Sequence, residues 1–143
     1  MNNFIFENSS KVYFGEGCVK EYLSNILSAY GDTVMLCYGG GSIKKNGIYD
    51  EVITVLKKEN KAVVEFSGIP SNPTYSKVLE GIKLAKESNV DLILAVGGGS
   101  VMDCCKAISL GAKYDGDIWA DFWARPGVID FEPLPLGIIV TVS

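Results

Sequence analysis

Two kinds of hydrophobic pattern alternate along the chain. Short apolar runs at 33–38, 62–66, 92–96 and 136–142 are the length and composition of strands buried on both faces. Between them, apolar residues recur every three or four positions. Val19, Tyr22, Leu23, Ile26 and Leu27 predict a helix from Gly17 to about Ala29. Ile48, Val52, Val55 and Leu56 predict the next, closed by the charged 57–59. Tyr75, Val78, Leu79, Ile82 and Ala85 predict a third, with Asn72 as cap, Pro73 at its first position and an end near Ser88. A fourth follows the glycines at 97–99, with Ser100 as N-cap and Asp103 completing a capping-box-like pair. Residues 4–14 read as a short β-hairpin around a polar turn at 8–10. After Gly111 the pattern weakens, and the aromatic group Trp119, Phe122 and Trp123 reads as core or interface. Strands alternating with helices of about 10–15 residues mark βαβ units. The expected fold is α/β, a doubly wound, mostly parallel sheet in one domain, with the hairpin at its N-terminus.

Two of the predicted strands run directly into glycines. Gly97, Gly98 and Gly99 follow the run at 92–96, and the helix beyond them aims its free N–H groups back over the turn. Such an end favours an anion, most often a phosphate. The pattern is neither a phosphate loop with Gly-Lys-Ser/Thr nor a full Gly-x-Gly-x-x-Gly, because Met102 stands where the third glycine belongs. Context carries the reading: a strand before, a helix after. Gly39, Gly40, Gly41 and Ser42 form the second such turn, and in a parallel sheet both lie at the same edge. No acid stands between Gly39 and Lys45 to take a ribose hydroxyl. Exposed amides, the Ser42 hydroxyl, Lys44 and Lys45 instead favour a ribose 2′-phosphate, hence NADP over NAD. The alternatives are a tight structural turn at 97–99 and a glycine turn with two solvated lysines at 39–45. Asp103 serves as its own helix's cap, as a cofactor contact, or as both.

Composition narrows the classes. The chain has 143 residues, 48% of them hydrophobic and 21% charged, an ordinary globular balance. Its net charge of −4, with scattered lysines, argues against a nucleic-acid surface. No apolar run reaches the roughly 20 residues of a membrane span, and no secretory signal is evident, so the expected location is cytoplasmic. The cysteines at 18, 37, 104 and 105 have no Cys-x-x-Cys spacing and read as free thiols. Histidine is absent altogether, which removes the commonest general base and metal ligand. The residues alone therefore assign neither a catalytic group nor a metal ligand. The chain also stops after a strand, where an α/β fold would place a functional loop, so it reads as a fragment.

Four segments carry a resemblance to a known family. They are Phe14-Gly15-Glu16-Gly17, the stretch from Tyr38 to Gly47, the Gly-Ile-Pro-Ser-Asn-Pro at 68–73, and Ala95 to Lys106 with its Gly-Gly-Gly-Ser-x-x-Asp-x-x-Lys. In this order they resemble the iron-containing (group III) alcohol dehydrogenases, and within them the NADPH-dependent butanol dehydrogenase-like branch. The resemblance implies a Rossmann-like, dehydroquinate synthase-like domain spanning 1–143, the N-terminal dinucleotide-binding half of a two-domain enzyme. It implies that Gly97, Gly98, Gly99 and Ser100 meet the pyrophosphate with Asp103 nearby. Gly39, Gly40, Gly41 and Ser42 would surround the adenosine ribose and its 2′-phosphate, and Asn72 and Thr141 would lie along the cofactor. The family's divalent metal, iron or zinc, would be held by one Asp and three His of a helical C-terminal domain that this chain lacks. The parent enzyme would interconvert primary alcohols and aldehydes, and the chain alone would be inactive. The N-terminal strands would offer a surface for a homodimer. Two other readings remain: a non-catalytic nucleotide- or phosphosugar-binding module, and an NAD-dependent glycerol dehydrogenase-like enzyme, which the acid-free first turn disfavours.

Overall fold

A computed structural model describes residues 10–14, 23–24, 27–40, 42–45, 47–113 and 133–140. Its strands are β1 (Ser10–Phe14), β2 (Thr33–Tyr38), β3 (Ala62–Phe66), β4 (Leu92–Gly97) and β5 (Leu136–Val140). Its helices are α1 (Ser42–Lys45), α2 (Ile48–Lys58), α3 (Tyr75–Glu87) and α4 (Gly99–Gly111). The five strands make one sheet in the order β1-β5-β4-β2-β3, and every pair in it is parallel. That is the doubly wound α/β fold expected.

Alternation along β2 and β4 explains why both faces are covered. Met35, Cys37, Ile93 and Ala95 point to one face, where they meet Val78, Ile82 and Ala85 of α3 and Val101, Cys104, Cys105 and Ile108 of α4. Val34, Leu36, Leu92, Leu94 and Val96 point to the other, against Leu23, Leu27, Ile43 and the α2 residues Val52, Val55 and Leu56. Every residue of β4 is buried, as its unbroken apolar run requires.

Helix ends show how local sequence sets the frame. Asp50 and Glu51 occupy the first turn of α2 and Lys57 and Lys58 its last, both matching the helix dipole. Asn60 and Asn89 stop α2 and α3 in the left-handed region, at φ 59° and 52°. Each stop is closed by paired hydrogen bonds: Lys61 N–H to Leu56 O and Asn60 N–H to Lys57 O, then Val90 N–H to Ala85 O and Asn89 N–H to Lys86 O. Helices α3 and α4 approach closely through two glycines. A Cβ on Gly81 would overlap Ile108, and one on Gly111 would overlap Ile82. Ser109, the buried polar residue on α4, donates its hydroxyl to Leu134 O at 2.5 Å and so fastens α4 to the segment entering β5.

Three boundaries differ from expectation. Helix α3 begins two residues later than Pro73, because Thr74, not Asn72, caps it by accepting the Lys77 N–H at 3.1 Å. Helix α4 begins at Gly99 with Gly98 as N-cap and no side-chain cap, so Ser100 and Asp103 do not form a capping box. Ser10, placed in a hairpin turn by sequence, instead opens β1, which pairs in parallel with β5. The other half of that hairpin, residues 4–9, lies outside the described residues, as does the aromatic group at 119–123.

Candidate functional site

The two glycine turns emerge side by side. Tyr38 at the end of β2 is in register with Val96 of β4, so Gly39 and Gly97 leave adjacent strands at the same edge of the sheet. On the far side of β4, Val140 of β5 is in register with Gly97. Thr141, the next residue, lies outside the described residues, and so does Gly41.

Gly97 has φ +153°, and a Cβ there would stand 2.8 Å from Val101 Cγ2, so the second turn requires glycine twice over. Beyond it, Gly98 and Gly99 are exposed, and a Cβ on either would meet nothing within 4 Å. Open space above the N-terminus of a 13-residue helix is what an anion needs to reach its amides. Asp103 is exposed one turn along α4.

Gly39 is tight for a different reason. The Gly68 N–H donates to Gly39 O at 2.8 Å and the Ile69 N–H to Tyr38 O at 3.4 Å, which lays the 67–73 loop across the end of β2. A Cβ on Gly39 would come within 3.0 Å of Ile69 O, while Gly40 opens into free space. The same loop reaches the second turn, where the Ser100 hydroxyl donates to Ser71 O at 2.5 Å. Ser100 is therefore a strut between loop and helix rather than the helix's cap. Asn72, the next residue after Ser71, is exposed. The loop thus ties the end of β2 at Gly39 to Ser100 of the second turn, and Ser42 opens α1 two residues beyond the exposed Gly40. At Gly40, Gly98 and Gly99 the exposed backbone borders open space, which leaves room for an anion at each turn.

Sequence reasoning missed a cluster beside the first turn. Tyr38 donates its phenol to Glu65 Oε1 at 2.6 Å, and Tyr49 of α2 donates to Glu65 Oε2 at 2.7 Å. The two rings meet edge to face at 5.6 Å. The Lys44 ammonium lies over both, 4.9 Å from the Tyr49 centroid and 5.7 Å from that of Tyr38. The Tyr38 hydrogen bond, then that of Tyr49, hold the Glu65 carboxyl below its ordinary value. Burial, reinforced by Glu65, pushes Tyr38 up to about 12. The available signal was Glu65 itself, the one charge in the apolar Ala-Val-Val-Glu-Phe strand.

Under the second turn lie three buried free thiols, Cys37, Cys104 and Cys105. Burial, with a lesser contribution from Cys105, raises Cys104 to about 11. A hydrogen bond with Cys37, then burial, raises Cys105 well above the usual thiol range. These are inert packing thiols, not nucleophiles. Among the described residues no three His, Cys, Asp or Glu side chains come together to hold a metal ion, so they do not supply the ligand set of a metal centre. Nor, among them, is any helix long and apolar enough to cross a membrane.

Comparison with known proteins agrees with this architecture. The family model described as iron-containing alcohol dehydrogenase matches residues 9–143. A probable NADH-dependent butanol dehydrogenase of Bacillus subtilis is 47% identical over the whole chain. The NADPH-dependent aldehyde reductase of Escherichia coli is 37% identical over 99% of it. The crystal structure of an NADH-dependent butanol dehydrogenase from Thermotoga maritima superposes with a TM-score of 0.82 at 42% identity, covering 100% of this chain and 35% of that one. The chain spans 36% of the length of both curated relatives. With the parallel sheet and paired glycine turns already in place, these matches show that the chain belongs to the iron-containing alcohol dehydrogenase family.

Proposed function

We propose that this chain is the N-terminal dinucleotide-binding domain of an NADP-dependent, metal-dependent alcohol dehydrogenase that interconverts primary alcohols and aldehydes. The observation that carries the reading is the pair of glycine turns at adjacent strand ends, open at Gly40, Gly98 and Gly99 and spanned by one loop. The amides of Gly98, Gly99 and Ser100 would hold the pyrophosphate, with Asp103 close by. Gly39, Gly40, Gly41 and Ser42 would surround the adenosine ribose, and Asn72 and Thr141 would line the path toward the nicotinamide. The bound cofactor supplies the hydride chemistry. This chain's own residues bind and orient it, and metal ligands, iron or zinc, would come from residues other than those described here.

The choice of NADP rests on the first turn. No carboxylate follows Gly39 on α1, and the acid nearest the turn in the described cluster, Glu65, already accepts from two phenols. It is thereby withdrawn from the ribose hydroxyl that a classical NAD site would offer an acid. A second reading, NADH use, is favoured by the names of the Bacillus and Thermotoga relatives. Calorimetric titration with NADPH and with NADH decides between them: tighter NADPH binding is expected, equal or tighter NADH binding overturns the NADP choice, and no binding of either overturns the dinucleotide site.

One partner surface belongs to this reading. Among the described strands β1 lies at one edge of the sheet, and a second copy of the chain pairing there would give a homodimer. Light scattering tests it, and a monomer at micromolar concentration removes it.

A further inference from the structure

Four side chains from four elements close on one another around the first glycine turn. Tyr38 immediately precedes Gly39, Lys44 sits on α1 just past the turn, Tyr49 is in the first turn of α2, and Glu65 is on β3. Glutamate on an exposed edge strand would ordinarily be solvated and mobile. Here one phenol holds each carboxylate oxygen, at 2.6 and 2.7 Å. That fixes both rings, and the rings in turn hold the Lys44 ammonium at 4.9 and 5.7 Å from their centroids. An unrestrained lysine loses rotamer freedom when it binds an anion, whereas one already seated over two rings has lost it beforehand.

We propose that Tyr49 and Glu65 are positioning residues for cofactor choice: they hold the Lys44 ammonium beside the first glycine turn, where it recognises a phosphate monoester on the adenosine ribose. Neither touches the cofactor; both act through Lys44. The inference rests on the NADP reading above and deepens it. It also explains why an acid can stand so near a phosphate site. Lys44 offsets the Glu65 charge, and Lys45, exposed on the same helix, adds another positive group.

The test uses the adenosine end of the cofactor alone. Dissociation constants for adenosine 2′,5′-bisphosphate and for AMP are measured calorimetrically, and their ratio isolates the contribution of the extra phosphate. Lys44→Met is expected to cut the preference for the bisphosphate on the order of tenfold. Tyr49→Leu is expected to remove a comparable share, and Tyr49→Phe, which keeps the ring but loses its bond to Glu65, a smaller share. In the Lys44→Met background, Tyr49→Leu should add nothing, the non-additivity that marks action through one group. Glu65→Gln supplies an independent variant that keeps an acceptor oxygen, with a partial loss expected. If Tyr49→Leu weakens both nucleotides equally, or its effect multiplies with that of Lys44→Met, the role is structural and the inference fails. A wild-type protein that prefers the bisphosphate while Tyr49→Leu keeps that preference overturns the inference alone. Equal wild-type affinity for the two nucleotides overturns the NADP reading and the inference with it.

Discussion

The two glycine turns leave adjacent strands at the same edge, yet they are built by opposite means. The second is almost all backbone: Gly97 at φ +153°, two open glycines, and a 13-residue helix behind them. The first feeds a helix of four residues and is hemmed by side chains, with Tyr38, Lys44, Tyr49 and Glu65 locked together beside it. Backbone amides recognise a feature every dinucleotide shares, the pyrophosphate. Side chains can distinguish one dinucleotide from another. The contrast teaches that affinity and selectivity can be divided between neighbouring turns of one sheet.

The sharpest way to break that division is Gly98→Val. Its Cβ meets nothing within 4 Å and its φ of −96° suits any residue, so the fold should lose no more than about 1 kcal/mol. The side chain would nonetheless fill the space above the helix N-terminus. NADPH and NADH should then both weaken about a hundredfold, equivalent to ~2.7 kcal/mol, by calorimetry. Unchanged binding would make the second turn merely structural. Gly97→Ala asks the converse question, because there the backbone itself needs glycine. With the strained φ and a Cβ 2.8 Å from Val101 Cγ2, a loss of about 2 kcal/mol is expected from urea unfolding. Val101→Ala in that background should recover part of it.

At the first turn, Gly40→Asp places a carboxylate in open space. Stability should hold within ~0.5 kcal/mol, while NADPH affinity relative to NADH should fall about tenfold. Equal weakening of the two would deny the first turn its selective role. The smallest effect is in the pH dependence of the side-chain cluster. Tyr38 is raised from 10.0 to about 12, so its contribution is complete below pH 10 and lost as pH climbs toward 12. Glu65 is lowered, so its contribution is present above the ordinary carboxylate range and lost as pH falls through its depressed value. Urea midpoints across pH should show both limbs, with Tyr38→Phe flattening the alkaline one and Glu65→Gln the acid one.

The second turn was far more legible in sequence than the first. An apolar run followed by three glycines and a helical period is local information, and β2, β3 and β4 fall where their runs are. The cap positions were not recoverable, because Asn72 and Ser100 have the right chemistry for a cap, yet Ser100 is bonded to the loop that crosses the strand ends and Asn72 lies within that loop, before the helix starts. Ser100 gives its hydroxyl to Ser71 O, and Thr74 takes the capping role two residues after Asn72. The cluster was invisible for a related reason. Glu65 and its two phenols lie 27 and 16 positions apart, and only the β3–β2 pairing and the return of α2 bring them together. Polar residues whose partners are distant leave no periodic trace.

The place of β1 in the sheet bears on how the chain is made. Ser10 pairs with Leu136, 126 positions later, and β5 is the strand that joins β1 to the rest. At typical synthesis rates of about 5–20 residues per second, β1 waits roughly 6–25 seconds for its neighbour. Meanwhile β2, β3 and β4 can assemble with the helices between them, whose contacts are shorter in range. Strand β1 is therefore among the last of the described strands to find its partner, and an unpaired strand is what a nascent-chain chaperone would find to hold.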